Sequence, residues 1–304
     1  MPRLSVLTSL YGSAPYIEEF YTRCLAVIQS LGIEYEFVFV DDGSPDEGNA
    51  LVQGLIKRDP CVRLIELSRN FGHHKAIMIG LEHVQGELVF MLDSDLEEEP
   101  ELLATFHAMM MESDAEVDVV YGVMEQRKGS LFERVSGAAF YKIINFLSDL
   151  PIPENIMAAR LMTRQYVDSL VQYQETQLYL GGVMMMAGFN QVAVPTQKMS
   201  KGRSSYTFAR RYTLALDALI SFTNKPLTFI AFFGIGICFV SFLMVAFCIA
   251  RVGVDLEGWM LVLASIWFLG GLTMCSIGLV GFYIGRIFIQ VKGRPNAIVK
   301  RIHN

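Results

Sequence analysis

Two aspartates, Asp93 and Asp95, stand where the sequence changes abruptly from apolar to acidic. The apolar run before them, Leu88–Leu92, predicts a buried parallel strand. Ligands of open α/β sheets bind at the carboxyl ends of strands, so two carboxylates at that point can converge on one cation. Their oxygens suit a hard ion such as Mg²⁺ or Mn²⁺, which would also hold substrate phosphates. The alternative is a solvated acidic loop capping a helix that begins near Pro100.

A second acidic turn, Asp41–Asp46, follows another apolar run. Gly43 permits a tight turn, and Ser44 or Asp46 can cap the next helix. The carboxylates of Asp41 and Asp42 could instead accept hydrogen bonds from a ribose hydroxyl or a base N–H. Taken alone, the turn fits both interpretations.

Strand-like runs alternate with helical patterns through the first 125 residues, which predicts βαβ units and a mostly parallel α/β sheet. The predicted strands are Leu4–Thr8, Phe37–Val40, Val62–Leu67, Leu88–Leu92 and Val117–Tyr121. The predicted helices span roughly residues 15–31, 46–58, 73–85 and 100–112. In such a sheet both acidic motifs face one crevice.

Apolar residues make up 52% of the chain, and the excess lies mostly in the C-terminal part. Two stretches without a charge, Leu227–Ala250 and Trp259–Gly285, each exceed the roughly 30 Å of a bilayer core and predict two transmembrane helices. Basic residues flank the pair, at positions 210, 211, 225, 286, 292, 294, 300 and 301. The connecting loop carries only Arg251. We therefore expect a protein of the inner or plasma membrane with both termini and the catalytic domain in the cytoplasm.

Several classes are disfavoured by composition. The N-terminus has no apolar run typical of a signal peptide. The five cysteines lack metal-ligand spacing and are interpreted as reduced apolar residues. The net charge of −6 argues against a nucleic-acid partner.

Four segments together resemble the family 2 glycosyltransferases, and more narrowly the membrane-anchored polyprenyl-phosphate glycosyltransferases. They are Leu4–Tyr11, Asp41–Asp46, Ser68–His73 and Asp93–Pro100. The resemblance covers nearly the whole chain. It implies a GT-A (Rossmann-like) nucleotide-sugar-binding fold, a nucleotide-sugar donor, a divalent metal, a polyprenyl phosphate acceptor and inversion at the anomeric carbon.

The resemblance also implies roles for single residues. Asp93 and Asp95 would bind Mg²⁺ or Mn²⁺ and act in catalysis with Arg127 and Arg160. The nucleotide sugar would contact Thr8, Leu10, Tyr11, Asp41, Asp42, Arg69, Ser94 and Arg203. We expect the adjacent His73 and His74 to be solvent-facing or to lie behind the direct ligands, because on a helix they point about 100° apart.

The segment from residue 122 to 225 is interpreted as the acceptor side. Leu131–Leu150 resembles an interfacial helix, and the lipid phosphate is expected to contact Arg127, Arg134, Ser136, Lys201 and Ser205. Attraction of these basic residues to anionic headgroups is the plainer alternative. Many relatives carry an aspartate where this chain has Ala158, two residues before Arg160. That departure leaves a carried-over carboxylate base in doubt.

The predicted organisation has four parts: a cytoplasmic GT-A domain over residues 1–205, a juxtamembrane amphipathic helix over 206–226, a transmembrane hairpin over 227–289 and a cytoplasmic tail over 290–304. The predicted function is transfer of one hexosyl residue to a polyprenyl phosphate beside the bilayer. Two rival hypotheses are a transferase with a glycolipid or polysaccharide acceptor and a non-catalytic nucleotide-sugar-binding subunit. The sequence leaves open whether the chain forms a homo-oligomer.

Overall fold

A computed structural model of the chain describes residues 3–113, 116–124, 156–174, 180–196 and 259–304, with positions 230, 232–234 and 236–237. The first half alternates strands and helices: β1 Leu4–Leu10, α1 Ile17–Leu31, β2 Tyr35–Asp41, α2 Gly48–Ile56, β3 Val62–Leu67, α3 His73–His83, β4 Leu88–Met91 and α4 Leu102–Glu112. The remaining elements are β5 Val119–Met124, β6 Ile156–Thr163, α5 Arg164–Leu170, α6 Leu180–Met186, β7 Gln191–Thr196, α7 Trp259–Val291 and β8 Val299–His303.

The strands form one sheet in the order β7-β5-β6-β4-β1-β2-β3-β8. The four central strands, β4, β1, β2 and β3, are parallel to one another, whereas β6 and β8 pair antiparallel to their neighbours. The predicted mostly parallel α/β sheet is therefore confirmed. Each predicted strand and helix of the first 125 residues is present, with bounds shifted by a few residues.

Two apolar layers enclose the sheet. Helices α1, α2 and α4 cover one face through buried side chains such as Phe20, Val52 and Phe106. Helices α3, α5 and α6 cover the other through side chains such as Ile77, Tyr166 and Val183. Because both faces are covered, nearly every residue of the central strands is buried, and their apolar side chains fill both layers.

The last strand, β8, lies at the edge of the sheet beside β3. Its first residue, Val299, pairs with Leu67, the last residue of β3, and His303 pairs with Leu64. The Ser68 backbone N–H donates to Ile298 O at 2.9 Å, and Lys300 forms an ion pair with Glu66. The sequence interpretation grouped residues 290–304 as a tail, and the structure incorporates five of them into the sheet.

One described helix is long and apolar enough to cross a membrane. Within α7 the candidate span is Phe268–Val291, and its most apolar window is not buried in the protein. At 1.5 Å per residue its 24 residues extend about 36 Å. The first predicted span, Leu227–Ala250, lies almost entirely outside the described residues.

Candidate functional site

The loops after β1 and β2 are braced against each other at the carboxyl edge of the sheet. The Gly12 N–H donates to Ser44 Oγ at 2.9 Å, and the Ala14 N–H donates to Asp46 Oδ2 at 2.8 Å. Ser44 Oγ in turn donates to Asp46 Oδ1 at 2.6 Å. Asp46 Oδ1 also accepts a hydrogen bond from the N–H of Gly48, the first residue of α2, at 3.1 Å. Part of the acidic turn thus caps α2, as one of the two interpretations expected.

Asp41 and Asp42 both lie buried at the end of β2. Asp41 accepts hydrogen bonds from Ser44 N at 2.8 Å and Asn49 Nδ2 at 2.7 Å, so its carboxylate shapes the turn. Asp42 accepts the N–H groups of Phe71 at 2.7 Å and Gly72 at 2.9 Å. Burial raises the pKa of Asp42, and these two N–H groups oppose that rise. Asp42 therefore anchors the loop after β3 to the end of β2.

Gly43 makes this contact between loops sterically feasible. Its φ is +65°, in the left-handed region that side chains other than glycine seldom adopt. A Cβ at this position would lie 2.7 Å from Asn70 N and 2.8 Å from Arg69 C. Both are backbone atoms, so a side chain here would push the loop after β3 away from Asp42.

Asp93 and Asp95 follow β4 and keep part of their surface open to solvent. Asp95 Oδ1 accepts the Glu97 N–H at 3.0 Å, which closes a short turn around Leu96. Leu96 has a φ of +57° and is buried, so packing of its side chain holds the backbone in a left-handed conformation. The turn fixes the backbone beside both carboxylates.

His73, the first residue of α3, lies between the two acidic strand ends. Its Nδ1 is 2.8 Å from Ser9 Oγ on β1, and its Nε2 is 3.5 Å from Asp93 Oδ1. Desolvation lowers the pKa of His73, whereas the charges of Asp42 and Asp95 raise it. His73 thus follows Gly72, which donates to Asp42, and lies 3.5 Å from Asp93, so the turn after β3 connects the acidic ends of β2 and β4.

The described residues contain no group of three or more His, Cys, Asp or Glu side chains arranged to hold a metal ion. The donor set still fits a divalent ion that takes its other ligands from substrate. Asp93 and Asp95 offer carboxylate oxygens, and Mg²⁺ typically keeps waters and phosphate oxygens alongside one or two carboxylates. Asp93 retains 36% of its side-chain exposure, so a ligand can reach it.

The other predicted donor contacts differ in accessibility. Tyr11 is 58% exposed, and Arg69, in the loop after β3, is also exposed, with its guanidinium 4.0 Å from the Phe71 ring centroid. Ser94 Oγ lies 3.1 Å from Ser9 O and 2.9 Å from Ser13 Oγ, which ties the acidic loop to β1. Thr8 and Leu10 are buried. Among these described residues, Tyr11 and Arg69 are therefore the ones that solvent, and hence a nucleotide sugar, can reach directly.

Glu98 and Arg160 join the acidic loop to β6. The buried Glu98 carboxylate accepts Ala158 N at 3.0 Å and Ala159 N at 2.6 Å. Arg160 is also buried, pairs in register with Met91 of β4, and has its guanidinium 5.3 Å from the Tyr121 ring centroid. Arg160 thus lies within the sheet beside the last residue of β4, and its catalytic role stays a prediction.

Six predicted contact residues lie outside the described residues, namely Arg127, Arg134, Ser136, Lys201, Arg203 and Ser205. The interfacial helix over Leu131–Leu150 and the juxtamembrane helix over 206–226 lie outside them as well. Their roles stay predictions.

Ser9, Glu98 and β8 were not singled out by sequence reasoning. Ser9 and His73 are 64 positions apart, and Glu98 is 60 positions from Ala158, so only the sheet brings each pair together. For β8 no clear local signal existed, because two charged residues, Lys300 and Arg301, separate the apolar Val299 and Ile302, so the five residues do not alternate.

Comparisons with known proteins identify relatives along the whole chain. The family model described as "Glycosyl transferase family 2" matches residues 5–171. A protein of Mycobacterium tuberculosis named "Putative glycosyltransferases" is 44% identical over 99% of this chain and 88% of its own length. A protein of Shigella flexneri named "SfII prophage-derived bactoprenol glucosyl transferase" is 30% identical over 99% of this chain and 98% of its own length.

A solved structure with the same fold is mannosyl-3-phosphoglycerate synthase from Rubrobacter xylanophilus. It superimposes with a TM-score of 0.51 at 14% identity and covers 72% of this chain and 73% of its own. At that identity the likeness concerns the fold alone.

Proposed function

The chain belongs to glycosyl transferase family 2, and on this premise we propose that it transfers one hexosyl residue from a nucleotide diphosphate sugar to a polyprenyl phosphate at the cytoplasmic face of the membrane. It is a glycosyltransferase. The bactoprenol glucosyl transferase of Shigella flexneri aligns over nearly its full length, which supports a polyprenyl phosphate acceptor.

The donor would bind in the crevice at the carboxyl edge of the sheet. Asp42 stands at the end of β2, Asp93 and Asp95 follow β4, and His73 lies between them. Tyr11 follows β1 and Arg69 follows β3, both exposed at the same edge of the sheet, and the Arg69 guanidinium suits a diphosphate oxygen. These groups support binding of a nucleotide diphosphate sugar.

We propose that Asp93 and Asp95 hold a divalent cation. When bound, such an ion offsets the charge that develops on the departing diphosphate. The protein's own part is to present two carboxylate oxygens from a braced loop and to keep them accessible to the donor.

The observation that carries the membrane part of the proposal is the pairing of Val299 with Leu67. Because β8 is antiparallel to β3, the chain coming from α7 joins the sheet at its carboxyl edge, where the donor crevice lies. Seven residues, 292–298, separate the end of α7 from the start of β8, and they can extend at most about 25 Å. The crevice would therefore be held close to the bilayer surface.

The same sheet supports two membrane crossings. The chain leaves the sheet after β7 at Thr196 and returns to it at Val299. A chain that leaves and re-enters a domain on one side of a bilayer crosses an even number of times. If α7 is one crossing, a second must lie within residues 197–258, where Leu227–Ala250 has no charged residue.

Transfer would proceed by direct displacement with inversion. An oxygen of the lipid phosphate forms the new bond to the anomeric carbon, and the bond from that carbon to the donor diphosphate breaks. The nucleotide diphosphate departs with the electron pair. A phosphate monoester with a second pKa near 6 is largely dianionic at pH 7, so it needs no general base. Ala158, where many relatives carry an aspartate, is compatible with such an acceptor.

The experiment is incubation of the purified chain with labelled UDP- and GDP-sugars, Mg²⁺ and undecaprenyl phosphate. We expect labelled lipid with one sugar nucleotide, released by mild acid as the free sugar. Label in a glycan or diphosphate-linked product would favour the rival acceptor. Binding of a sugar nucleotide without product from any donor would favour the non-catalytic subunit.

A further inference from the structure

We infer that His73 is a positioning residue that aligns the Asp93 carboxylate for cation binding. The inference rests on the proposed function, because it concerns the metal that Asp93 and Asp95 would hold. The local sequence around His73 does not predict this role. The contact between His73 and Asp93 exists because α3 begins beside the ends of β1 and β4.

Both ring nitrogens of His73 have a neighbour on a different strand. Nδ1 lies 2.8 Å from Ser9 Oγ, on β1, and Nε2 lies 3.5 Å from Asp93 Oδ1, after β4. The residue before it, Gly72, donates its N–H to Asp42 Oδ2 at 2.9 Å. The backbone before His73 is thus fixed by the Gly72–Asp42 hydrogen bond, and its ring is fixed by Ser9. In this position Nε2 faces Asp93.

The two contacts select one arrangement of hydrogens. If the Ser9 hydroxyl donates to Nδ1, the proton of the neutral ring lies on Nε2 and points at Asp93. The other tautomer would turn a nitrogen lone pair toward a carboxylate, which is repulsive. The Nε2–Oδ1 distance of 3.5 Å is longer than a full hydrogen bond. A cation bound to Asp93 Oδ2 would leave Oδ1 to accept a hydrogen bond from His73. In known metal sites, a hydrogen bond of this kind to a ligating carboxylate fixes its orientation.

A matched pair of substitutions separates this role from simple packing. In His73→Gln the amide nitrogen occupies roughly the place of Nε2, so a donor to Asp93 is kept. In His73→Asn the amide lies near the place of Nδ1, so the contact to Ser9 can be kept while that to Asp93 is lost. His74→Gln, on the adjacent residue, is the control for a histidine change in the same helix turn.

The measurement is Mn²⁺ binding by electron paramagnetic resonance with UDP and, separately, with GDP, without any acceptor, and the variants are compared with the nucleotide that supports binding by the wild type. We expect His73→Asn to weaken Mn²⁺ binding about tenfold, the lower end of the range for outer-shell partners, and His73→Gln and His74→Gln to stay near wild type. Ser9→Ala, which removes only the partner of Nδ1, should weaken binding in the same direction and serves if His73→Asn does not fold.

Unchanged Mn²⁺ binding in His73→Asn, or equal weakening in His73→Gln and His73→Asn, would overturn the inference and leave the proposed function intact. Absence of Mn²⁺ binding by the wild-type chain with both UDP and GDP would overturn both the inference and the metal requirement.

Discussion

Val299, the first residue of β8, pairs with Leu67, the last residue of β3, so the chain that follows the apolar helix α7 returns to the sheet at the edge that carries Asp42, Asp93 and Asp95. The pairing continues through Ile302 opposite Ile65 and His303 opposite Leu64. A single short strand thereby joins the proposed donor site to the candidate membrane helix.

Removing this strand should uncouple the two parts. In a chain truncated after Ile298, we expect transfer to undecaprenyl phosphate to fall about tenfold or more, because the crevice loses a connection that holds it near the acceptor. UDP binding by calorimetry should stay within about threefold, since β8 contributes no crevice residue. Asn304→Ala, which keeps β8 and removes only the 3.1 Å bond from Arg63, is the control. Full transfer by the truncated chain would contradict the proposed coupling.

Acidification should loosen β8 through Glu66. The Lys300 ammonium and His303 lower the pKa of Glu66 below its ordinary value of 4.5, against the opposing effect of burial. A carboxylate with a depressed pKa contributes its full stabilisation above the ordinary value and loses it as the pH falls through the depressed one. We therefore expect hydrogen exchange of residues 299–304, corrected for the intrinsic rate, to become faster below about pH 4.5.

Glu66→Gln is the matched control for this titration, because the amide has nearly the same shape and no charge. Its β8 protection should be lower than that of wild type at pH 7 and should change little between pH 6 and pH 3.5. A wild-type profile that is flat over this range would show that the Glu66–Lys300 pair does not hold the strand.

Gly43→Ala should disturb the crevice without touching any ligand group. The new Cβ would lie 2.7 Å from Asn70 N at a φ of +65°, so the loop after β3 must move away from Asp42. We expect UDP binding to weaken at least about tenfold and the unfolding midpoint to fall, with a cost of roughly 1–3 kcal/mol for the strained backbone and the lost contacts.

Gly54→Ala provides the comparison for that variant. Gly54 lies within α2, its Cβ would meet no atom within 4 Å, and the helix favours alanine by up to about 1 kcal/mol. We expect unchanged UDP binding and an equal or higher unfolding midpoint. If Gly43→Ala bound UDP as tightly as Gly54→Ala, the loop contact at Asp42 would be unimportant for the donor.

Asp95→Ala should abolish transfer while leaving membrane insertion intact. The substitution removes one of the two carboxylates proposed to hold the cation, and the loss of Mn²⁺ binding with UDP should parallel the loss of labelled lipid. Glu99→Ala, which removes an exposed carboxylate from the same loop, should keep both. Retained turnover in Asp95→Ala would remove the role assigned to this residue.

Much of the fold was predictable because its signals are local. Apolar runs of strand length alternate with helical patterns, so β1 to β5 and α1 to α4 were found with errors confined to their ends. Strands β6, β7 and β8 were not predicted. Their partners are distant in sequence: β6 inserts between β5 and β4, and β8 pairs with the edge of β3.

The sequence by itself determined the α/β class, the family, and the carboxylates that end β2 and β4, because these depend on residue type and spacing along one stretch of chain. Tertiary structure decided what those carboxylates face. Asp42 accepts hydrogen bonds from the N–H groups of Phe71 and Gly72. His73 faces Asp93 because α3 packs against β1 and β2, beside β4. His73 and Asp93 are 20 positions apart and Leu67 and Val299 are 232 apart, and no local pattern encodes the packing that brings them together.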